Sequence, residues 1–388
     1  MRILIAPDKF KGSLSAAEAA SAIAEGVLRV YPDAIVTQFP VADGGEGTLE
    51  AAIAAGYEEK LSAVVGPILK PTGAAWALRT DAFGTSTAIV ETSQASGLAL
   101  VDEGMLDASG KPTPEAALRA HSYGCGQLIA SALDAGATEI VLGLGGSAMS
   151  DGGSGALRAL GLKPLDASGN VVPLGGGSLI DVVSVDTSAL DPRLSAVKIR
   201  LAVDVQHPIF GGGRTGSEGA AHVFGPQKGA DEDGVELLDA GLRNWASVIR
   251  QATGRDVNVP GAGAAGGFPA AFLGFSNATL EEGFGLVASL TGLAPVLAEA
   301  DLVITGEGSL DAQSLEGKAP IALADAASGR GIPVLAVAGR ILVTPEELAE
   351  HGIDAAVQLL DLAPSPAAAQ SEAAKYLTLA TQQVLEGA

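Results

Sequence analysis

The sequence predicts an α/β fold built from two α/β domains. Short runs rich in β-branched and aliphatic residues alternate with longer alanine-rich stretches of helical spacing, which is the pattern of strands alternating with helices. Of the 388 residues, 47% are apolar and only 18% are charged, against a usual charged share of about 25%. At roughly 100–200 residues per domain, a chain of this length has room for two domains.

The N-terminal segment follows the order strand, helix, strand, loop, helix. A run of aliphatic residues predicts a strand at 3–6. We predict that a helix begins at Ser15, because Ser15 and Glu18 have the spacing of a capping box. A second strand is predicted at 36–41, and the helix that follows it extends to Ala55.

The rest of the chain carries two further groups of strands. Near the C-terminus, three buried-type strands are separated by helical segments, in the rhythm of parallel βαβ units, at 301–305, 333–338 and 355–360. In the middle, glycine-rich connections separate three strand candidates, at 87–91, 140–144 and 199–203. This change in texture predicts a discontinuous α/β domain with a parallel sheet, residues 1–62 and 285–388, around an inserted second α/β domain, residues 63–284.

The charge balance excludes several classes of partner. The chain has 23 Lys and Arg against 45 Asp and Glu, a formal charge of -22, which argues against a nucleic acid or an anionic membrane as partner. Its one cysteine, Cys125, cannot form an internal disulfide, and the N-terminal apolar run is too short for a signal peptide. The uncharged stretch 257–280 is too rich in proline and glycine to cross a membrane as a helix. We therefore predict a cytoplasmic protein.

Glycine-rich loops follow several predicted strands, and backbone N–H groups at a strand-to-helix turn commonly hold anions. The strongest such loop follows strand 140–144 and contains Gly145, Gly146 and Ser147. It includes one match to the dinucleotide fingerprint G-x-G-x-x-A, at 143–148. A dinucleotide site, another anion site and a tight turn without a ligand all fit this loop.

Two other phosphate-binding patterns are missing from the sequence. Gly317 and Lys318 are followed by Ala319 rather than by Ser or Thr, and this excludes a Walker P-loop. Ala312 stands where the first glycine of that motif would lie. The His-Arg-Asp and Asp-Phe-Gly motifs of protein kinases are missing as well. A kinase with this sequence therefore belongs to another lineage.

Six acidic residues follow predicted strands or lie in glycine-rich loops. They are Asp8, Asp43, Asp151, Asp204, Glu307 and Asp311. A phosphoryl-transfer site needs oxygen ligands for Mg²⁺ and one carboxylate within reach of the attacking hydroxyl. A single aspartate in a turn is more often a helix N-cap than a catalyst, but several together favour a site.

Three lysines stand out in a chain that is poor in basic residues. Lys11, Lys228 and Lys318 lie in motif-like surroundings, and Lys228 is the first choice for a phosphate-binding cation, with a solvated loop lysine as the alternative. The four histidines have no metal-ligand spacing, so we predict no zinc site. Cys125 is interpreted as a small buried thiol rather than a nucleophile.

Six motifs occur along the chain. They are IAPDKFKGSL (5–14), VADGGEGT (41–48), GGSA with DGG (145–153), FGPQKGA (224–230), PGAGAAGG (260–267) and TGEG followed by D, QS and GK (305–318). In this order they resemble the bacterial glycerate kinases of the glycerate 2-kinase type, and the resemblance covers almost the whole chain. The sequence departs from the family pattern at Lys9, at 149–150 (Met-Ser), at His207 within 204–208 and at 268–269 (Phe-Pro), and none of these changes removes a carboxylate or Lys228.

The resemblance implies an ATP- and Mg²⁺-dependent cytoplasmic kinase. Its substrate would be D-glycerate, phosphorylated usually at the 2-hydroxyl, in the breakdown of glyoxylate, glycolate or sugar acids. The family fold implies two α/β domains, one of them flavodoxin-like, with the active site in the cleft between them. Whether the chain is a monomer or a homodimer stays open.

The resemblance also leads to hypotheses about single residues. Asp43 or Asp8 would orient glycerate and accept its hydroxyl proton, and Lys228 would lie near the transferred phosphoryl group. Asp151 and Asp204 would hold Mg²⁺ directly or through water. Binding of the substrate or of phosphates is expected from Lys11, Ser13, Gly44, Gly45, Gly145, Gly146, Ser147, Gly263, Gly266, Glu307, Asp311 and Lys318.

Two other functions stay open from the residues alone. An NAD(P)-dependent hydroxy-acid dehydrogenase would use the 143–148 fingerprint, with Asp166 on the ribose. It would leave the two Asp-Gly-Gly stretches, at 43–45 and 151–153, unexplained. A non-catalytic solute-binding protein would also use two lobes around a cleft, although such proteins are usually exported.

Overall fold

The chain divides into two compact units in the computed structural model, which describes residues 1–212 and 218–387. The first unit comprises Met1–Asp43, Glu50–Ala55 and Phe284–Ala388, and the second comprises Gly44–Leu49 and Gly56–Gly283. The predicted domain boundaries near 62 and 285 stay predictions. Residue 62 lies inside a strand that belongs to the second unit.

The strands of the described residues are numbered in chain order. They are β1 (Arg2–Ile5), β2 (Ile35–Gln38), β3 (Glu58–Val65), β4 (Pro71–Thr80), β5 (Ser86–Glu91), β6 (Glu139–Gly143), β7 (Lys163–Leu165), β8 (Ser184–Asp186), β9 (Lys198–Val203), β10 (Thr279–Glu282), β11 (Leu302–Leu310), β12 (Val334–Ile341) and β13 (Ala355–Gln358).

The α-helices of the described residues are numbered in the same way. They are α1 (Ala16–Val30), α2 (Thr48–Ala54), α3 (Ser93–Ser96), α4 (Pro114–Arg119), α5 (Tyr123–Asp134), α6 (Ser154–Ala159), α7 (Ala220–Phe224), α8 (Glu232–Thr253), α9 (Ala264–Gly267), α10 (Pro269–Phe275), α11 (Gly283–Thr291), α12 (Leu293–Ala298), α13 (Ala319–Ser328), α14 (Pro345–Glu350), α15 (Pro366–Ser371) and α16 (Ala373–Gly387). None of these helices is both long and apolar enough to cross a membrane.

The sheet of the first unit is entirely parallel, with five strands in the order β13-β12-β11-β1-β2. Counted along the unit, this is the order 2-1-3-4-5 that is typical of flavodoxin-like folds. The predicted α/β fold with one flavodoxin-like domain is therefore confirmed. β11 is longer than the predicted strand at 301–305, because β12 pairs with it as far as Leu310.

Helices cover both faces of this sheet, because successive strand residues point to opposite faces. On one face α1 and α16 pack with Ile3 and Ile5, and on the other α13 packs with Leu4. α1 begins at the predicted capping box. The hydroxyl of Ser15 accepts the N–H of Glu18 at 3.2 Å, and the Glu18 carboxylate accepts the N–H of Ser15 at 2.9 Å.

The second unit contains a mixed six-stranded sheet in the order β10-β9-β6-β5-β4-β3. Neighbours from β10 to β5 are parallel, whereas β5, β4 and β3 pair in antiparallel fashion. The three predicted middle strands lie side by side as β5, β6 and β9. The sequence reasoning missed β3, because this edge strand is mostly solvent-exposed and carries no continuous apolar run.

Candidate active site

The first sheet changes the direction of its connections between β1 and β11. From β1 the chain continues to β2 on one side, and from β11 it continues to β12 on the other. Ligands of open α/β sheets bind at the carboxyl ends of the strands beside such a switch point. Two of the predicted residues lie there: Asp8, just beyond the end of β1, and Glu307, the sixth of the nine residues of β11.

The strand register brings Asp8 and Glu307 into one row. Ile5 pairs with Ile304, and the ladder continues as the N–H of Asp8 donates to the Gly306 carbonyl at 2.8 Å. Asp8 therefore lies beside Glu307. Paired residues of parallel strands, about 4.8 Å apart, point to the same face of a sheet, so both carboxyl groups project on the side of Leu4.

Asp8 is buried, with 7% of its surface exposed. Burial, and next the negative charge of Asp43, raise the pKa of its carboxyl to about 8. The N–H of Lys9 donates to Asp8 Oδ1 at 2.7 Å, and this contact opposes the rise. The predicted partner Asp43 is half-buried and is near enough to act on Asp8 electrostatically.

Glu307 is buried as well, with 8% of its surface exposed. Burial raises the pKa of its carboxyl to about 7, against the hydrogen bond from Ser314 and the positive charge of Lys318. Asp311 and Asp43 add to the rise. The Oε1 atom of Glu307 is buried and has no hydrogen-bond partner among the described residues.

The segment between β11 and α13 supplies two more predicted residues. Asp311 Oδ1 accepts the N–H groups of Gln313 and Ser314 at 3.0 and 3.3 Å, so this carboxylate caps a short 3₁₀ turn. Lys318 is half-buried and is the N-cap residue of α13. The capping role of Asp311 is therefore structural, and the predicted role of Lys318 in substrate binding stays a prediction.

Lys11 and Ser13 belong to an exposed turn after Asp8. The Ser13 hydroxyl donates to the Phe10 carbonyl at 3.0 Å. Gly12 has a φ of 80°, in the left-handed region that glycine adopts readily. The turn is therefore held by its own backbone, and both side chains remain predictions as ligands of the substrate.

Lys228 is a buried lysine of the second unit, with 4% of its surface exposed. Its Nζ atom donates to Ser147 Oγ at 3.2 Å and to the Met149 carbonyl at 2.6 Å. Burial lowers the pKa of Lys228 to about 7, while the charge of Asp151 acts in the opposite direction. The predicted Lys228 and Ser147 therefore lie together at the glycine-rich loop after β6.

Asp151 is fully buried and its carboxylate is saturated with donors. Oδ2 accepts the N–H and the hydroxyl of Ser122, both at 2.8 Å, and the N–H of Gly155 at 3.1 Å. Oδ1 accepts the N–H of Gly153 at 3.2 Å. This set of donors does not fit a direct Mg²⁺ ligand and instead ties the loop after β6 to α5 and α6.

Asp204, the other predicted Mg²⁺ ligand, is exposed and directly follows β9. Its metal role stays a prediction. Across residues 1–212 and 218–387, no group of three or more His, Cys, Asp or Glu side chains has the arrangement of a metal site.

The glycines after β6 serve close packing. A Cβ atom on Gly145 would lie 2.6 Å from Gly45 Cα, and one on Gly146 would lie 2.0 Å from a carboxylate oxygen of Glu46. Gly44 has a φ of 88°, and its carbonyl accepts the N–H of Leu144 at 3.0 Å. These glycines let the two loops touch, so their predicted phosphate contacts stay predictions.

The loop at 260–267 is likewise packed against its neighbours. The N–H of Gly263 donates to the His207 carbonyl at 2.8 Å, so it is engaged within the protein. A Cβ on Gly266 would lie 2.3 Å from the Met149 carbonyl oxygen, and its φ is 68°. Close packing therefore explains why glycine stands at both positions, and their predicted ligand contacts stay predictions.

Sequence reasoning missed two buried polar residues of the second unit. Glu91 ends β5, and its Oε1 accepts at 2.7 Å the N–H of Leu49, the second residue of α2. Its position at a strand end was the available signal. The Nε2 atom of buried His121 has no hydrogen-bond partner in the described part of the chain, and burial lowers the pKa of this histidine.

Comparisons with known proteins agree with the resemblance. The family model described as the glycerate kinase family matches residues 3–387. The Escherichia coli K12 protein named glycerate 2-kinase is 44% identical over 93% of this chain and 91% of its own length. The Bacillus subtilis 168 protein named glycerate kinase is 41% identical over 97% of this chain and 95% of its own length. A crystal structure from Salmonella typhimurium LT2, assigned as glycerate kinase 2, covers 100% of this chain and 98% of its own, with a TM-score of 0.81 and 39% identity.

An α/β kinase is the class that the fold and these matches define. The chain belongs to the glycerate kinase family, as its six motifs predict. The dehydrogenase alternative finds no support in the comparisons. The structure at the fingerprint 143–148 also differs from a dinucleotide site. No helix follows the glycines directly, because α6 begins only at Ser154, and the loop at 44–47 covers Gly145 and Gly146.

The donors around Asp151 lead to a test of its role. We expect Asp151→Asn to lower the free energy of unfolding by about 2–3 kcal/mol, because charged hydrogen bonds are lost and one amide N–H₂ faces former donors. Thermal unfolding followed by circular dichroism checks this, with Asp166→Asn, in an exposed turn, as the matched control. An unchanged melting temperature together with lost Mg²⁺ binding would restore the metal role.

Proposed function

We propose that this kinase transfers the γ-phosphoryl group of ATP to the 2-hydroxyl of D-glycerate and so forms 2-phosphoglycerate. The observation that carries the proposal is the 44% identity, over 93% of the chain, to a protein named glycerate 2-kinase. In the cell, this reaction would serve the breakdown of glyoxylate, glycolate or sugar acids. We expect 3-phosphoglycerate less than 2-phosphoglycerate as the product.

Asp8 suits the role of general base. In the reaction the glycerate oxygen bonds to the γ-phosphorus, the bond from that phosphorus to the β,γ-bridging oxygen breaks, and the hydroxyl proton passes to a carboxylate. A base is most effective when its pKa lies near the working pH, and the pKa of Asp8 is raised to about 8. Asp43, which acts on Asp8 through its charge, would orient the acceptor.

Lys228 suits the stabilisation of charge on the transferred group. In phosphoryl transfer the protein mainly positions the reactants and offsets charge, and a buried cation acts more strongly than a solvated one. Lys228 is buried against the loop after β6, with Ser147 as a neighbour. Mg²⁺ would further neutralise the charge of the nucleotide phosphates. Asp204, which is exposed, is the predicted ligand of that ion.

The proposed reaction is tested by mixing the purified protein with ATP, Mg²⁺ and D-glycerate. We expect glycerate-dependent release of ADP and a phosphorus NMR signal that matches 2-phosphoglycerate. A signal of 3-phosphoglycerate would keep the kinase and overturn the regiochemistry. ADP release that does not depend on glycerate would overturn the substrate.

The role of Lys228 is tested by Lys228→Met, which keeps the length of the side chain and removes its charge. We expect kcat to fall by on the order of 10²-fold, as for the loss of one preorganised electrostatic group. Lys198→Met is the matched control, because Lys198 is an exposed lysine that pairs with Glu139. An unchanged kcat in a folded Lys228→Met protein would exclude this lysine from the site.

The base is tested by the pH dependence of kcat/KM. Asp8 becomes ionised as the pH increases through about 8, whereas Lys228 loses its charge as the pH increases through about 7. The reaction needs both charged forms, so we expect a bell-shaped profile of kcat/KM with its maximum between these values. Asp43→Asn removes a charge that raises the pKa of Asp8, so the rising limb moves to lower pH, by on the order of one unit. Asp33→Asn, at an exposed position, leaves the profile unchanged. Residual activity in Asp43→Asn that no longer rises with pH would make Asp43 the base instead.

A further inference from the structure

Glu307 presents a buried acceptor that the described residues leave without a hydrogen bond. Its side chain is more than nine-tenths buried, and Oε1 receives no hydrogen bond from the described residues. A buried acceptor without a donor is costly, and natural proteins retain few of them. Asp151 and Lys228, in contrast, find their partners within the chain. Buried Asp239 also has an oxygen without a hydrogen bond, Oδ1, but His222 Nε2 lies 4.0 Å from it. The unpaired oxygen of Glu307 therefore calls for a donor that comes from outside the chain.

The position of Glu307 places that donor next to the reacting group. Glu307 stands beside Asp8 at the switch point, and β1 has already ended at this level of the sheet. Neighbouring strands lie about 4.8 Å apart. The next residue of the row, Ala338 on β12, is small and buried. A small molecule that meets the Asp8 carboxylate can therefore meet Glu307 with an adjacent group.

The charges around Glu307 select the kind of donor. Asp8, Asp43 and Asp311 are acidic, and Lys318 is the cation that acts on Glu307. Phosphate and carboxylate groups would be repelled by these acids, which speaks against the predicted phosphate contact of Glu307. A metal ion would need further ligands, and no set of three is arranged for one in the described ranges. A neutral hydroxyl donor fits best.

We propose that Glu307 Oε1 accepts a hydrogen bond from the acceptor hydroxyl that does not react, so that Glu307 selects acids with hydroxyls on adjacent carbon atoms. This inference rests on the proposed function, in which Asp8 receives the proton of the reacting hydroxyl. Glu307 then acts as a specificity-determining residue. A substrate without the second hydroxyl leaves the buried oxygen unpaired, and sites built to bind a hydroxyl reject such analogues strongly.

The test compares two substrates in the wild type and in two Glu307 variants, with one control variant. D-Glycerate and D-lactate differ by the 3-hydroxyl, and both retain the 2-hydroxyl. We expect the wild type to prefer D-glycerate in kcat/KM by at least about 10³-fold. Glu307→Met, which removes both carboxylate oxygens, lowers kcat/KM for D-glycerate by about 10²-fold and changes the value for D-lactate by less than about threefold. Glu307→Gln keeps one acceptor oxygen and restores most of the preference.

The ratio of the two kcat/KM values does not depend on how much of a variant is folded, so a structural role of Glu307 would not move it. Glu299→Met is the matched control, because Glu299 is exposed and precedes the opposite end of β11. It leaves the ratio unchanged. Where turnover of D-lactate is too slow to follow, its inhibition constant against D-glycerate replaces kcat/KM in the comparison.

Three outcomes would overturn the inference. An unchanged substrate ratio in Glu307→Met would do so while leaving the proposed function intact. Equal loss in Glu307→Gln and Glu307→Met, with loss of Mn²⁺ binding to the nucleotide-free protein in both, would make Glu307 a cation ligand. Absence of any D-glycerate turnover by the wild type would overturn the proposed function, and this inference with it.

Discussion

The parallel pairing of β1 with β11 is the constraint on which the first unit depends. It joins Ile3 to Leu302 and Ile5 to Ile304, residues about three hundred positions apart in the chain. The same pairing creates the switch point and sets Asp8 beside Glu307. On its other side β11 lies very close to β12 at Gly306. A Cβ atom on Gly306 would lie 1.9 Å from the Val337 carbonyl oxygen, so only glycine fits there. One register therefore determines both the sheet and the row of carboxyl groups.

The buried charges of the chain fall into two kinds. Asp151 receives four hydrogen bonds and holds a loop, so its burial is compensated within the protein. Glu307 keeps one oxygen without a donor in the described residues, and Asp8 lies in the neighbourhood of two further acids. The saturated carboxylate stabilises the loop that it holds, whereas the unsaturated one beside the switch point can accept a hydrogen bond from a bound molecule.

Residue types alone did not reveal which motif residues contact a ligand. Four acidic residues follow strands or lie in glycine-rich loops: Asp8, Asp151, Asp204 and Glu307. Asp151 is fully buried with a saturated carboxylate, whereas Asp204 is exposed. The glycines of the loop after β6 match a dinucleotide fingerprint, but their faces are taken by the loop at 44–47. A glycine is required equally for a ligand and for a neighbouring backbone, and sequence cannot distinguish the two. Lys228 is buried, which rules out the alternative of a solvated loop lysine, and its role toward a phosphate stays a prediction.

The sequence by itself determined the family, the α/β class, the parallel strands at both ends and the start of α1, because periodicity, capping and ordered motifs are local properties. It also singled out Asp8, Glu307 and Lys228 as candidates. Only the tertiary structure decided that β3 and β4 add an antiparallel edge, that Asp151 is saturated, and that Asp8 and Glu307 share a row. These features depend on the pairing of distant segments and on which buried atoms find hydrogen-bond partners. Neither can be predicted from a short stretch of residues.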